Sequence, residues 1–352
     1  MKALFFGSTH GKACALHYFT SLIRLGIQTI PFDPEYFASH SVIEKALIKI
    51  NKGPTRDRVE RTAEDLINLC KHNHFDFVFN MAENFLSAEV MTTIRDSVRN
   101  PPLFLYHSHD NNFSSGICKP HDFESALKAY DFVYTTKSQN VERYKKLGQP
   151  RSYFIPSAYE PNVHLPIPDA DSRWASQNIR VSFVGTYDQS RDPICELIGW
   201  QNLHVWGDHW KRSPHFTRQY SHIVPKAVFY FEFADIISHS KISLGLLRIE
   251  ANDLHTQRTF EIPACGGFQI APRNEEIQTF FNENEDIVLY DSLEELKDKC
   301  GYYLEHESER KEIAHAGFRK VTSGSHTYVD RVQVMLNLAG LSLGKARKVQ
   351  AL

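Results

Sequence analysis

The sequence predicts an α/β protein made of two doubly wound domains in tandem, and three features of its 352 residues agree on this. Apolar runs of strand length alternate with helical stretches along the chain. Several of those runs are apolar throughout, as in a parallel sheet covered on both faces. The rhythm breaks once, at a proline-rich stretch near the middle, and then resumes. A chain of this length exceeds one typical domain and suits two of about 150 to 200 residues each.

The first series opens with KALFF at 2–6. A helix follows over roughly 13–25, with Leu16, Phe19, Leu22 and Ile23 on one face and Gly26 in the position of a C-terminal stop. The next strands are IQTIPF (27–32), DFVFN (76–80), LFLYH (103–107), DFVYTT (131–136) and SYFIP (152–156). The stretch PSAYEPNVHLPIPDADSRWASQN (156–178) holds four prolines and no periodicity, which marks an interdomain linker. The second series then reads IRVSFVG (179–185), NLHVWG (202–207), AVFYF (227–231), KISLGLL (241–247), GFQIA (267–271) and DIVLY (286–290). The boundaries that result are a first domain at 1–157, a linker at 158–178 and a second domain at 179–326.

Three helices close the chain. Ser292, Leu293, Glu294 and Glu295 have capping-box spacing for the first, Gly317 interrupts the second (roughly 306–321), and the third, from about 327, is expected to cross back to the first domain. The basic tail GKARKVQAL reads as a solvated end.

The formal net charge of −2 creates no positive field to gather nucleic acid. No apolar run approaches the roughly 18 to 20 residues of a membrane span, and MKALFFGSTHGK lacks the features of an export signal. The six cysteines form no C-x-x-C pair, which argues against a zinc knuckle or a disulfide framework. A soluble protein of the cytoplasm is the expectation.

Ligands of doubly wound sheets bind outside the carboxyl ends of the strands, and two such domains facing each other across a cleft form a natural site. Loops just after strands are therefore where chemistry is expected. GSTHGK (7–12) opens a helix whose amides suit an anion, though its spacing is neither a Walker A loop nor G-x-G-x-x-G. In HSHDNN (107–112), the H-x-H-D order suits a metal, but no complementary ligand set is recognisable elsewhere, so no metal is expected; His109 or Asp110 suits a base that takes a proton from a substrate hydroxyl. Glu83 in NMAENF is a similar base, with a helix-capping or solvated carboxylate as the bland alternative.

In SFVGTYDQSRDP (182–193), Gly185 allows backbone to approach a ligand, and Arg191 offers a fork of donors to a diphosphate. The densest segment is DLHTQRTFEIPACGGF (253–268). If Thr256 caps a short helix, Arg258 and Glu261 share one face and a glycine turn leads into GFQIA. Asp253 lies eight positions before Glu261, so two acids span a loop and the helix it enters. The amides at that helix start suit a phosphate, and a carboxylate further in can accept from two adjacent sugar hydroxyls. Trp206, Trp210 and Tyr187 are available either to stack on a ligand or to fill the core.

At these residues the chain resembles a known family. RTFEIPACGGF (258–268) is similar to the signature of the CgeB-like spore-maturation proteins, part of the broad glycosyltransferase group with the GT-B fold of two Rossmann-like domains. The similarity extends to FVGTYDQSRDP, to the glycine of LHVWGDHW, to HSKISLGLL and, more loosely, to YDFVYTTKSQNVERYKKLGQPRSYFIPSAYEPNVH, and so covers about residues 130–335. The resemblance implies a donor bound on the second domain, with Glu261 on the nucleotide ribose and Asp253 near the transferred sugar. Asp253 stands where the related Glu-x7-Glu element has glutamate, one methylene longer. Arg191, Lys241 and Arg258 are the cations available to the diphosphate, with Gly185, His255 and Thr259 completing the donor side. The implied activity is transfer of a sugar from a nucleotide-diphosphate sugar to a sugar, lipid-linked or protein acceptor, without a metal or further cofactor. Alternatives on the same fold are a sugar-nucleotide epimerase or hydrolase and a non-catalytic scaffold that binds a nucleotide sugar.

Overall fold

The computed structural model describes residues 1–9, 14–33, 56–81, 86–108, 123–199, 201–214, 223–224, 226–249 and 251–341. The chain divides into two compact units, Met1–Pro156 with Tyr328–Leu352, and Ser157–Thr327.

In the first unit six parallel strands lie in the order β2-β1-β3-β4-β5-β6. They are β1 (Lys2–Phe6), β2 (Gln28–Phe32), β3 (Phe77–Met81), β4 (Leu103–Ser108), β5 (Phe132–Thr135) and β6 (Ser152–Phe154). The helices between them are α1 (Ala15–Arg24), α2 (Arg56–His72), α3 (Ala88–Ser97), α4 (Phe123–Ala129) and α5 (Ser138–Lys146). All five residues of β3 are buried, as a strand covered on both faces requires.

α1 departs from its expected face: Ala15, Tyr18, Ser21 and Leu22 are buried, Leu16 and Phe19 only partly, and Ile23 is 49% exposed. Tyr18 turns inward because its hydroxyl meets the buried His107 ring Nε2 at 3.0 Å. The last helix of the chain also covers this stripe, with Tyr328 stacked on His17 at 4.8 Å between ring centroids. Gly26, with φ +77°, ends α1 at the expected residue.

The second unit has its own six parallel strands, in the order β12-β11-β10-β7-β8-β9. They are β7 (Ile179–Val184), β8 (Leu203–Trp206), β9 (Ile223–Val224), β10 (Ser240–Leu244), β11 (Gln269–Pro272) and β12 (Val288–Tyr290). Its helices are α6 (Asp192–Ile198), α7 (Tyr230–Ser238), α8 (Arg258–Ala264), α9 (Glu275–Phe280), α10 (Leu293–Glu305) and α11 (Glu307–Ser323). α12 (Tyr328–Leu338) belongs to the first unit, where the Tyr134 hydroxyl donates to the Met335 carbonyl at 2.7 Å.

AVFYF is not a strand: α7 begins inside it, and the short β9 precedes it. The apolar pattern runs on through Phe233, Ala234, Ile236 and Ile237, which are all buried, so its length and spacing fit a helix. The proline-rich stretch is packed rather than free, with Ser157, Ala158, Tyr159, Glu160 and His164 buried in the second unit. Gly317 does not interrupt α11; a side chain there would sit 2.6 Å from the Asp286 carbonyl, so the glycine permits close approach. Ser292 caps α10 by accepting from the Glu295 amide at 3.1 Å, while the Glu295 carboxylate reaches the Asp291 amide at 2.7 Å instead of completing a capping box.

Strand order in the second unit reverses between β7 and β10, which are adjacent and parallel. A crevice outside the carboxyl ends of those two strands is the favoured ligand position in an open α/β sheet.

Candidate functional site

The site is assembled at that switch point. β7 ends at Val184, and Gly185 turns the chain: its amide donates to the Trp206 carbonyl at 2.8 Å and its carbonyl accepts from the Trp210 ring Nε1 at 2.8 Å. A Cβ on Gly185 would lie 2.5 Å from the Phe183 ring, and one on Gly207 would lie 1.9 Å from the Gly185 carbonyl oxygen. Two backbones therefore touch where the turns after β7 and β8 meet, which requires glycine at Gly207, while a side chain at Gly185 would have to displace the Phe183 ring. Trp206 and Trp210 are buried in this packing. Tyr187 rests edge-on against Trp210 and donates to Asp192 at 2.7 Å, so all three aromatics serve the core.

The turn continues to Arg191, which closes a single 3-10 turn over Gln189–Arg191 capped by the Asp188 carboxylate, an acceptor from the Ser190 amide at 2.8 Å. The Arg191 guanidinium lies 4.7 Å over the Phe183 ring and the residue is only 5% exposed. Its Nε and Nη1 are buried and have no hydrogen-bond partner among the described residues. Burial pushes its pKa below the ordinary value; Asp188 opposes this, and Arg248 adds to the lowering. A buried guanidinium with donors unmet is costly unless an anion completes it.

On the opposite wall is α8. Thr256 does not cap it; the Thr259 hydroxyl oxygen accepts from the Thr256 amide at 3.1 Å instead. The amides of Thr259, Phe260 and Glu261 are already bonded to the carbonyls of Thr256 and Gln257, so they are not aimed at a phosphate. Arg258 ties the helix to the strand: its Nε donates to the Val184 carbonyl at 3.2 Å, its guanidinium lies 4.1 Å over the Phe233 ring, and its Nη1 pairs with the Glu261 carboxylate. These engagements make Arg258 an orienting group for Glu261.

Glu261 is 4% exposed, and its Oε1 is 3.5 Å from Nε2 of His164. His164 Nδ1 accepts from the Glu160 amide at 3.0 Å, which leaves the ring proton on Nε2, facing Glu261. Burial lowers the His164 pKa, against the pull of Glu261, with Arg258 adding to the lowering. The imidazole is thus neutral at pH 7, with its Nε2 turned toward the Glu261 carboxylate.

Asp253 and Arg248 face each other across a short loop after β10. The Arg248 Nε donates to Asp253 Oδ2 at 3.0 Å, and the Asp253 amide donates back to the Arg248 carbonyl at 3.2 Å. The Asp253 side chain is fully buried, while that of Arg248 is 49% exposed.

From the expected set, Gly185 and Arg191 lie on the turn after β7, Asp253 on the loop after β10, and Arg258, which reaches the Val184 carbonyl, pairs with Glu261 on α8, while the Thr259 hydroxyl is engaged by the Thr256 amide. Two expected donor-side residues do not join them. Lys241 sits at the amino end of β10, away from the carboxyl edge, and its charge bears on Glu307 at the start of α11. His255 is 1% exposed; its Nε2 accepts from the Ser157 amide at 2.9 Å and its Nδ1 pairs with Glu276, so the ring is a tie within the unit. Glu83, His109 and Asp110 lie outside the described residues. Among the described residues, no group of three His, Cys, Asp or Glu is arranged to hold a metal ion. His164 and Arg248 carried no motif in the sequence. The only signal for Arg248 was an arginine five positions before Asp253 at the end of a strand.

Residues 190–337 match the glycosyl transferase-like family model. Among curated proteins, the chain is 26% identical over 210 residues to the spore protein CgeB of Bacillus subtilis (strain 168), a match that covers 55% of this chain and 63% of that protein. Among solved structures, HepE from Anabaena in complex with UDP superposes with a TM-score of 0.67 at 13% identity, covering 97% of this chain and 100% of that one. Sucrose-phosphate synthase from Thermosynechococcus elongatus superposes with a TM-score of 0.66 at 15% identity, covering 97% and 98%. At such identities these two structures show the fold alone. The chain is thus similar to the glycosyl transferase-like proteins over residues 190–337 and to CgeB over less than two thirds of that protein's length, and its architecture is the GT-B fold.

Proposed function

We propose that the protein is a glycosyltransferase whose second unit binds a nucleotide-diphosphate sugar and passes the sugar to an acceptor hydroxyl. The observation that carries this reading is Arg191, a buried guanidinium on the turn after β7 whose Nε and Nη1 have no hydrogen-bond partner among the described residues; α8 of the same unit carries a carboxylate, Glu261, held by Arg258 and His164. A diphosphate supplies the acceptors that Arg191 lacks. Glu261 is oriented to accept from the two ribose hydroxyls. The UDP in the HepE complex lends support, since that protein shares the fold.

In the reaction the bond between the anomeric carbon and the diphosphate oxygen breaks, and the acceptor oxygen takes the carbon. Charge builds on the departing diphosphate. Arg191 is preorganised in a dry wall and stabilises that charge more in the transition state than in the ground state, so it lowers the barrier without a metal ion. The acceptor proton goes to Glu83, His109 or Asp110 if the reaction inverts, or to the departing phosphate if it retains.

The test is release of nucleoside diphosphate from UDP-, GDP-, ADP- and dTDP-sugars, with and without a mixture of sugar, lipid-linked and protein acceptors. One donor class is expected to turn over faster with acceptor present, and Arg191→Gln is expected to lower kcat/KM at least about a hundredfold, the scale of one lost oxyanion donor. Release at the same rate with no acceptor would make the protein a hydrolase. Binding of the donor without release would leave a scaffold.

A further inference from the structure

Two arginines converge on the switch point from adjacent strands. Arg191 follows Gly185 after β7, and Arg248 follows Gly245 after β10, with Ser182 and Ser243 paired in register across the two strands. The carboxylates of Asp188 and Asp253 offset part of the repulsion between these like charges, while Nε and Nη1 of Arg191 have no hydrogen-bond partner among the described residues, so a further anion would be drawn to the pair. The charge of Arg248 also bears on both Arg191 and Asp188, as expected for loops that leave adjacent strands.

Asp253 explains how a half-exposed arginine keeps its position. Its carboxylate, itself fully buried, holds the Arg248 Nε at 3.0 Å and faces the Arg248 amide at 3.4 Å, while its own amide closes the loop onto the Arg248 carbonyl. The resemblance to Glu-x7-Glu enzymes implies that this acid touches the transferred sugar. The shorter aspartate is instead committed to an arginine five residues away.

We infer that Arg248 is the second cation for the donor diphosphate, and that Asp253 is a positioning residue acting through Arg248 and not through the sugar. The inference rests on the donor-binding reading above. It also accounts for Lys241, which lies at the wrong end of β10 to supply a second cation.

The test is calorimetric titration of the full-length chain with inorganic pyrophosphate and with UDP, GDP, ADP, CDP and dTDP, their monophosphates and their hexose derivatives. Wild type is compared with Arg248→Gln, Asp253→Asn and the double variant. Arg248→Gln alters a half-exposed side chain and is expected to fold. Each single variant is expected to weaken the diphosphate and pyrophosphate about tenfold or more, the monophosphate much less. The double variant is expected to bind no worse than Arg248→Gln alone, because Asp253 has no role once Arg248 is gone. If wild type binds a diphosphate but Arg248→Gln leaves its affinity unchanged, the inference is overturned while the donor reading stands. It is also overturned if Asp253→Asn selectively weakens the sugar nucleotides, or if the two effects add. If wild type binds neither pyrophosphate nor any nucleotide, the donor reading fails and takes the inference with it.

Discussion

Glu261 is held from both sides, by Arg258 one helical turn earlier and by neutral His164 from the proline-rich stretch, and each contact makes a separate prediction. Replacing Arg258 with lysine keeps the charge but removes the fork that serves the Val184 carbonyl and the Glu261 carboxylate together. Arg258→Lys is expected to lower the urea midpoint by the equivalent of about 1.5–3 kcal/mol, the range for hydrogen bonds to charged groups, and an unchanged midpoint would deny the tie.

The His164 pKa is lowered, chiefly by burial, so the folded state resists the proton that the unfolded chain takes up. His164 therefore contributes stability that is present above the ordinary histidine pKa of about 6.5 and is lost as pH falls below it toward the lower folded value. Stability measured from pH 8 to pH 5 is expected to fall less steeply in His164→Gln than in wild type; parallel curves would contradict this. At this scale Glu261, Arg258, Arg191 and Gly185 could be singled out as candidates, because they stand in short motifs. His164 and Arg248 were not, since nothing local marks a residue whose partner is brought by the tertiary fold.

Among elements, the turn after β8 matters most to the site, because Gly207 lets it press against the turn that carries Gly185. Gly207→Ala drives a methyl into the Gly185 carbonyl and is expected to cost about 1–3 kcal/mol, the usual range for overpacking, and to weaken nucleotide binding by shifting the Arg191 turn. Thermal unfolding and a single titration check both effects; a variant that melts and binds like wild type would show that the turns can part cheaply. Ser292→Ala removes the α10 cap and is expected to cost about 1 kcal/mol in the same melting experiment without altering binding. Eleven of the twelve strands among the described residues coincide with the twelve apolar runs read from the sequence, which miss β9 and include one run that is no strand. The exception is instructive: AVFYF lacks alternation, and only the continuation of its apolar pattern through Ile237 distinguishes a helix from a strand. The inward face of α1 escaped periodicity for a related reason, since a tyrosine hydroxyl seeking His107 outweighed the isoleucine that was left exposed.

For the whole molecule, two parallel sheets of six strands each reproduce the tandem doubly wound architecture expected from the alternation. What the alternation did not contain was strand order, and it is the reversal between β7 and β10 that places the turn carrying Gly185 and Arg191 beside the loop carrying Arg248 and Asp253. No helix among the described residues is long and apolar enough to cross a membrane. The near-neutral charge of −2 leaves anion binding to local arginines.

The most direct test is calorimetric titration of the purified chain with UDP, GDP, CDP, ADP and dTDP, repeated with Glu261→Ala. One diphosphate is expected to bind at micromolar concentration, and the substitution to weaken it by about 1.5–3 kcal/mol, as for loss of a charged hydrogen-bond acceptor. Absence of binding at millimolar concentration, or equal affinity in the Glu261→Ala variant, would contradict a donor site at the switch point of the second unit.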